Sequence, residues 1–250
     1  MPLMDDPGMD THNIPGTNFT FSGKRVDDNL GASEFTLTVL CVDESPSVSA
    51  FKDALNKAVQ NIVASLNDSP RADSMMLRLV AFNEDVRQIH GFKPFPECSP
   101  GDYADAICPS GRATALFDAC FTGIESVAGY SKLLDKKDYS SNAIIYIMTD
   151  GWDNVSSMRP ADVKKAVDAL TLGEVVESVM TVLIGVNVDP NSGTNTELEK
   201  FQKEAGIDRY ISIGDASPKS MAKLTNFVVS QTSSQSQAMG SGAPSQSVAF

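Results

Sequence analysis

From residue 35 to residue 228 the chain alternates between short, continuously apolar runs and longer stretches whose apolar positions recur every three or four residues. The runs 35–43, 77–82, 143–149, 179–186 and 210–213 have strand length, and polar, Gly or Pro residues bound them. A run apolar at nearly every position suits a strand covered on both faces. Residues 86–90 predict a short edge strand, paired with 77–82 as a hairpin. Helical spacing shows in Phe51, Leu55, Ala58, Val59, Ile62, Val63 and Leu66, and again in Leu116, Phe117, Cys120, Ile124 and Val127. Pro160 opens a helix over 161–170, a short polar helix covers 195–205, and Ser217-Pro218 starts one that carries Met221, Leu224, Phe227 and Val228.

Strands alternating with helices at this spacing predict an α/β domain with a doubly wound, mostly parallel Rossmann-like sheet, one antiparallel edge strand and helices on both faces. The expected organisation is a polar leader over 1–33, the domain over 34–230, and a Ser/Gln/Gly-rich segment over 231–250. That last segment holds no charged residue and reads as a solvated end, or as a tether whose less polar end, Ser247 to Phe250, docks on a sheet edge or partner. Residues 91–111 are rich in Pro and Gly and read as a long surface loop.

Three junctions place oxygen-bearing side chains at the carboxyl end of the predicted sheet, where open α/β sheets bind ligands. Asp43-Glu44-Ser45-Pro46-Ser47 follows the first long strand, Thr114 precedes the second amphipathic helix, and Thr149-Asp150-Gly151 closes the run 143–149. Two carboxylates and three hydroxyls with no nearby His or Cys form a hard oxygen shell. It suits Mg2+, Mn2+ or Ca2+ and disfavours zinc or copper. Each part alone has a plainer explanation, since Asp, Ser and Thr cap helices and Asp-Gly makes turns.

Together, in this order, the residues resemble a von Willebrand factor type A domain with a metal-ion-dependent adhesion site. Asp-x-Ser-x-Ser, a Thr in a Gly-containing loop and an Asp in a Thr-Asp-Gly turn match Asp43, Ser45, Ser47, Thr114 and Asp150. The resemblance covers about residues 34–230, with Pro46 standing where many members have Gly. It implies a binding module and not an enzyme. Ser45, Ser47 and Thr114 would hold the ion directly, Asp43 and Asp150 would act through water or from behind, and a partner Asp or Glu would complete the shell. Similarity to bacterial stand-alone domains of the tellurite-resistance and stress-response group implies a partner phosphatase, kinase or ATPase encoded nearby. The rim of such a site would be Glu44, Pro46, the loop 91–112 and residues 152–156. Trp152 either lines that rim or packs over its own loop, and Arg112 pairs with a ligand carboxylate or with Glu44.

Charge narrows the classes further. Lys and Arg number 20 against 32 Asp and Glu, a net charge of −12, which opposes nucleic-acid backbones and anionic membranes. No run of about 18 apolar residues spans a bilayer, and residues 1–10 do not resemble a secretion signal. Cys41, Cys98, Cys108 and Cys120 lack metal or redox spacing, and although Cys98 and Cys108 share a loop where oxidation could pair them, all four read as reduced thiols of a cytoplasmic protein. His12 and His90 are the only histidines, which disfavours a His-based triad or zinc site. Two alternatives remain. One is a Mg2+-dependent phosphotransferase of haloacid dehalogenase type with Asp43 as nucleophile, although position 45 is Ser where that chemistry wants an acid. The other is a structural assembly subunit that binds no metal.

Overall fold

A computed structural model describes residues 8–27, 30–241 and 247–250. Eight strands form: β1 (Met9–Asn13), β2 (Thr20–Lys24), β3 (Glu34–Asp43), β4 (Met75–Phe82), β5 (Val86–Pro94), β6 (Ser140–Thr149), β7 (Val179–Val186) and β8 (Arg209–Ile213). Five helices accompany them: α1 (Lys52–Asn67), α2 (Leu116–Asp135), α3 (Pro160–Leu172), α4 (Gly193–Glu204) and α5 (Pro218–Ser241). The strands make one sheet in the order β1-β2-β5-β4-β3-β6-β7-β8. From β4 through β8 neighbouring strands are parallel, while β5 runs antiparallel to β4. The expected α/β sheet with helices on both faces is therefore present.

Alternation along β3 assigns the two cores. Leu37, Val39 and Cys41 pack with Leu116, Cys120, Ile124 and Val127 of α2, and with residues of α3 and α4. Leu40 and Val42 face the other way, into Leu55, Val59 and Ile62 of α1 and Leu224 and Val228 of α5. With both faces covered, β3 has no polar side to show, and every residue from Phe35 to Asp43 is buried. Chain direction reverses between β3, which leads leftward to β4, and β6, which leads rightward to β7. The crevice at that switch point lies between Asp43 and Asp150.

Three expectations need correction. Within the stretch read as a polar leader, β1 and β2 form an antiparallel hairpin that extends the sheet, and Ile14 and Phe21 are buried; residues 1–7 and 28–29 lie outside the described ones. β5 is consequently not an edge. The hairpin attaches through a single parallel bridge, Gly23 to Phe92, where a Cβ on Gly23 would stand 2.4 Å from the Tyr130 ring. Only Gly lets the backbone approach so closely.

The Pro/Gly-rich stretch is not a free loop either. Residues 91–94 continue β5, short 3-10 turns cover Phe95–Glu97 and Pro100–Tyr103, and Phe95, Cys98, Tyr103 and Ile107 are buried. Asn56 of α1 clamps it, its amide donating to the Ile107 carbonyl at 3.0 Å and its oxygen accepting from the Ile107 N–H at 2.9 Å. Lastly, α5 continues eleven residues past the expected boundary, from position 231 to 241, with Gln231, Thr232, Gln235 and Ser236 buried. Residues 242–246 lie outside the described ones, and 247–250 rest on the domain. No helix among the described residues is long and apolar enough to cross a membrane.

Candidate metal centre

Asp43 ends β3 with its side chain 1% exposed. Its Oδ1 accepts the Ser45 N–H at 2.7 Å, an Asx turn that bends the chain out of the strand, and its Oδ2 accepts the Thr149 hydroxyl at 2.6 Å. The chain then enters a 3-10 turn, Pro46–Ala50, before α1 begins at Lys52. Pro46 sits at the start of that turn, a position whose N–H needs no helical partner. Ser45 occupies the N-cap position and makes no capping bond with its side chain. Instead its Oγ lies 2.8 Å from the Ser47 Oγ, and the Ser47 hydroxyl donates to Asp150 Oδ1 at 2.7 Å.

Asp150 follows β6, next in the sheet to β3. Thr114 arrives on the segment before α2, whose N-cap residue is Ala115, so Thr114 caps nothing. Asn154 holds it: the Asn154 side-chain oxygen accepts the Thr114 N–H at 2.9 Å, and the Asn154 N–H donates to the Thr114 carbonyl at 3.1 Å. The Thr114 Oγ1 lies 3.9 Å from where a Cβ on Gly151 would stand, which places it against the Asp150-Gly151 turn. The first amides of α2 are satisfied from that same turn, Phe117 N–H by Asp153 and Asp118 N–H by Ser156, each at 3.1 Å. Asp118 returns the contact by accepting from the N–H groups of Ser157 and Met158. This reciprocal clasp fixes the Thr114 segment to the Asp150 segment.

Electrostatics set the site apart from ordinary capping. Burial pushes the Asp43 carboxyl above the usual range against the bonds from Thr149 and Ser45. Burial likewise pushes Asp150 up to about 6, opposed by the Ser47 hydroxyl and reinforced by the neighbouring Asp43 charge. Among the described residues no Lys, Arg or His forms an ion pair with either carboxylate. Two desolvated acids without a base leave a deficit of positive charge, and three uncapping hydroxyls surround it. This donor set fits a hard divalent cation. Among the described residues no group of three or more His, Cys, Asp and Glu comes together, as expected of a site with only two carboxylates.

Four of the five predicted residues, Asp43, Ser45, Ser47 and Asp150, join in one chain of hydrogen bonds, and Thr114 stands beside it. Thr149 and Asn154 were missed as site residues. The Thr149 hydroxyl had a signal in the Thr-Asp-Gly turn, whereas nothing in the spacing marks Asn154 as the holder of Thr114. Glu44 is no rim residue. It is 2% exposed, its carboxylate takes the Arg87 guanidinium at 2.6 and 3.1 Å, and its carbonyl accepts the Ser110 N–H, tying β3 to the Thr114 segment. Arg112 makes no pair with it; its N–H donates to Glu84 at 2.7 Å. Trp152 packs edge-on against Phe117 and Phe201. All four cysteines are free thiols, with Cys108 alone exposed.

No protein-family model and no curated protein matches the chain in sequence. Solved structures do match in shape. The pilus adhesin SpaC from Lactobacillus rhamnosus GG, in its open conformation, superposes with a TM-score of 0.57 at 13% identity, over 90% of this chain and 32% of that one. The PilB minor pilin from Streptococcus sanguinis gives 0.58 at 15% identity, over 86% and 64%. A von Willebrand factor type A protein from Catenulispora acidiphila gives 0.54 at 17% identity, over 80% and 43%. The chain thus spans from about a third to just under two thirds of the length of these structures. The mostly parallel sheet with helices on both faces, and the likeness to the last of these structures, make the fold Rossmann-like α/β and similar to that of a von Willebrand factor type A domain.

Proposed function

We propose that this chain is a divalent-cation-dependent protein-interaction module. The observation that carries the reading is the contact chain Asp43, Ser45, Ser47, Asp150, in which a buried and a half-buried acid, neither with a base, are bridged by hydroxyls that cap no helix. Ser45, Ser47 and Thr114 would hold Mg2+, or Mn2+ or Ca2+, directly, with Asp43 and Asp150 orienting them or ligating through water. The bound cation supplies a Lewis-acidic position for an outside oxygen. The clasp between α2 and the Asp150 turn keeps the donors in place before any partner arrives. A partner Asp or Glu completes the shell, read by a rim of Pro46, Arg112, Asn154 and Val155, the last of these 46% exposed.

Position 45 is Ser, where phosphotransferase chemistry with Asp43 as nucleophile wants an acid, and this favours the binding module over that enzyme. On the resemblance alone we extend the proposal to a bacterial stress-response or signalling complex whose partner is a phosphatase, kinase or ATPase encoded nearby. The test is a calorimetric titration of Mg2+, Mn2+ and Ca2+ into metal-free wild type and Asp43→Ala, with thermal melts as the folding control. Saturable binding lost in the variant supports the site and leads to a pull-down with and without EDTA. Equal binding by Asp43→Ala overturns it, and a folded wild type that binds no cation points to a structural subunit.

A further inference from the structure

Beyond the metal centre, on the flank formed by α5 and the edge strand β8, residues 247–250 lie on the domain through contacts that read a peptide backbone. Arg209, at the start of β8, donates through Nη1 to the Ser247 hydroxyl and to the Val248 carbonyl, each at 2.7 Å. The Val248 N–H donates to the Gln231 side-chain oxygen at 2.7 Å, and Gln231 is fully buried in α5. Two residues on, the Phe250 ring packs edge-on against Phe227 at 5.5 Å, and the Lys223 ammonium stands 4.2 Å above it. Arg209 itself lies 5.2 Å over the Phe227 ring, so one side chain organises both the aromatic floor and the backbone contacts.

These contacts have the makeup of a short-peptide recognition site. One residue has both its N–H and its C=O matched, by groups from two different elements, and an aromatic side chain two positions along occupies an apolar seat beneath a cation. Neither matching group is a surface accident, since Gln231 is buried and Arg209 is stacked. We infer that the α5–β8 flank is a docking site for an extended segment of pattern Ser-Val-x-Phe, that residues 247–250 occupy it in cis, and that a partner segment of this pattern binds by displacing them. Because the occupant is tethered to α5, its effective concentration is of order millimolar, and a trans ligand competes against that.

The test uses the full chain and the amidated peptide Ser-Val-Ala-Phe with an acetyl cap. In Val248→Pro/Phe250→Ser the cis segment loses the N–H and the ring, while Arg209, Gln231, Lys223 and Phe227 are untouched. Circular dichroism and thermal melts check that the chain stays folded. The peptide is expected to bind this variant saturably at ~0.1 mM or below and wild type at least ~10-fold more weakly, the difference being the cis competitor at its millimolar effective concentration. Adding Arg209→Ala to the double variant is expected to weaken the peptide at least ~10-fold, through the lost pair of hydrogen bonds and the lost stacking. No binding by the folded double variant overturns the inference. So does equal binding by wild type, or binding indifferent to Arg209→Ala.

Discussion

Where β3 meets β6 at the carboxyl end of the sheet, and where α5 crosses the same strands nearer their start, the protein is buried and polar in both places, but the two regions balance their groups differently. At the first, acceptors exceed donors and two acids lie without a base. At the second the groups are neutral amides and hydroxyls that meet one another. Asn142 donates to the Gln235 carbonyl at 2.8 Å, Gln235 to the Ser178 hydroxyl at 2.9 Å, and the Tyr146 hydroxyl lies 3.1 Å from that of Thr232. A neutral network costs only the acceptors it leaves over, here the side-chain oxygens of Asn142 and Gln235, whereas a desolvated carboxylate without a base either takes up a proton or meets a cation.

The comparison breaks most visibly at the acids. Asp150→Asn should weaken Mg2+ at least ~100-fold, about 2.7 kcal/mol, in a calorimetric titration. In metal-free buffer the same variant should melt no lower than wild type at pH 7.5, because it removes a desolvated charge. The sign follows from the folded value of about 6 against an ordinary 3.8: native metal-free protein holds the extra proton between those values, so its stability falls as pH rises through them. Mg2+ should therefore raise the melting temperature of wild type more at pH 7.5 than at pH 5.

The neutral flank should respond in stability and not in metal affinity. Gln235→Ala leaves the Ser178 hydroxyl and the Ala143 carbonyl without their donor and should cost ~1–3 kcal/mol in urea unfolding, with Mg2+ affinity unchanged. A Gln235→Ala variant that lost metal binding instead would erase the distinction between the two regions.

That distinction also separates what was legible in the sequence from what was not. That Asp43, Ser45, Ser47, Thr114 and Asp150 lie close together could be read because each stands where a predicted strand ends or a predicted helix begins, and the central strands could be read because burial on both faces makes them continuously apolar. Residues 231–241 could not, since Gln, Ser and Thr carry no helical apolar stripe and are buried by hydrogen bonds to partners such as Asn142, 93 positions away. The β1–β2 hairpin was hidden for a related reason: besides one bridge and a close Gly23 contact, it is held by bonds between Ser22 and Gln88 and from the Tyr130 hydroxyl to the Lys24 carbonyl, none of which has a periodicity. Glu44 was misplaced because an acid beside a metal motif reads as exposed until its Arg87 partner is seen.

A pH-dependent effect concerns a neutral histidine on β5. Burial pushes His90 down to about 3, its Nε2 lying 2.8 Å from the Tyr103 hydroxyl and its Nδ1 2.8 Å from the Gly91 carbonyl. Below the unfolded value near 6.5 the unfolded chain binds the proton and the native one does not. Stability is therefore complete above about 6.5 and lost as pH falls toward 3, by up to ~1.4 kcal/mol per pH unit. Urea unfolding of wild type and His90→Gln between pH 7 and 4 should show this slope removed in the variant.

The smallest expected effect sharpens the comparison furthest, because it sets two serines in the same local position against each other. Ser192 caps α4, its Oγ accepting the Asn195 N–H at 3.1 Å, while Ser45 stands at the N-cap of its 3-10 turn and caps nothing. Ser192→Ala should cost ~1 kcal/mol in metal-free buffer, as loss of a cap does. Ser45→Ala should cost a similar ~1 kcal/mol there, because its buried hydroxyl satisfies no helix amide but meets that of Ser47. In Mg2+ the two should part, with Ser45→Ala losing the ion's added stability and Ser192→Ala keeping it. If Ser45→Ala kept the stability that Mg2+ adds, the proposed metal centre would have lost one of its directly coordinating side chains.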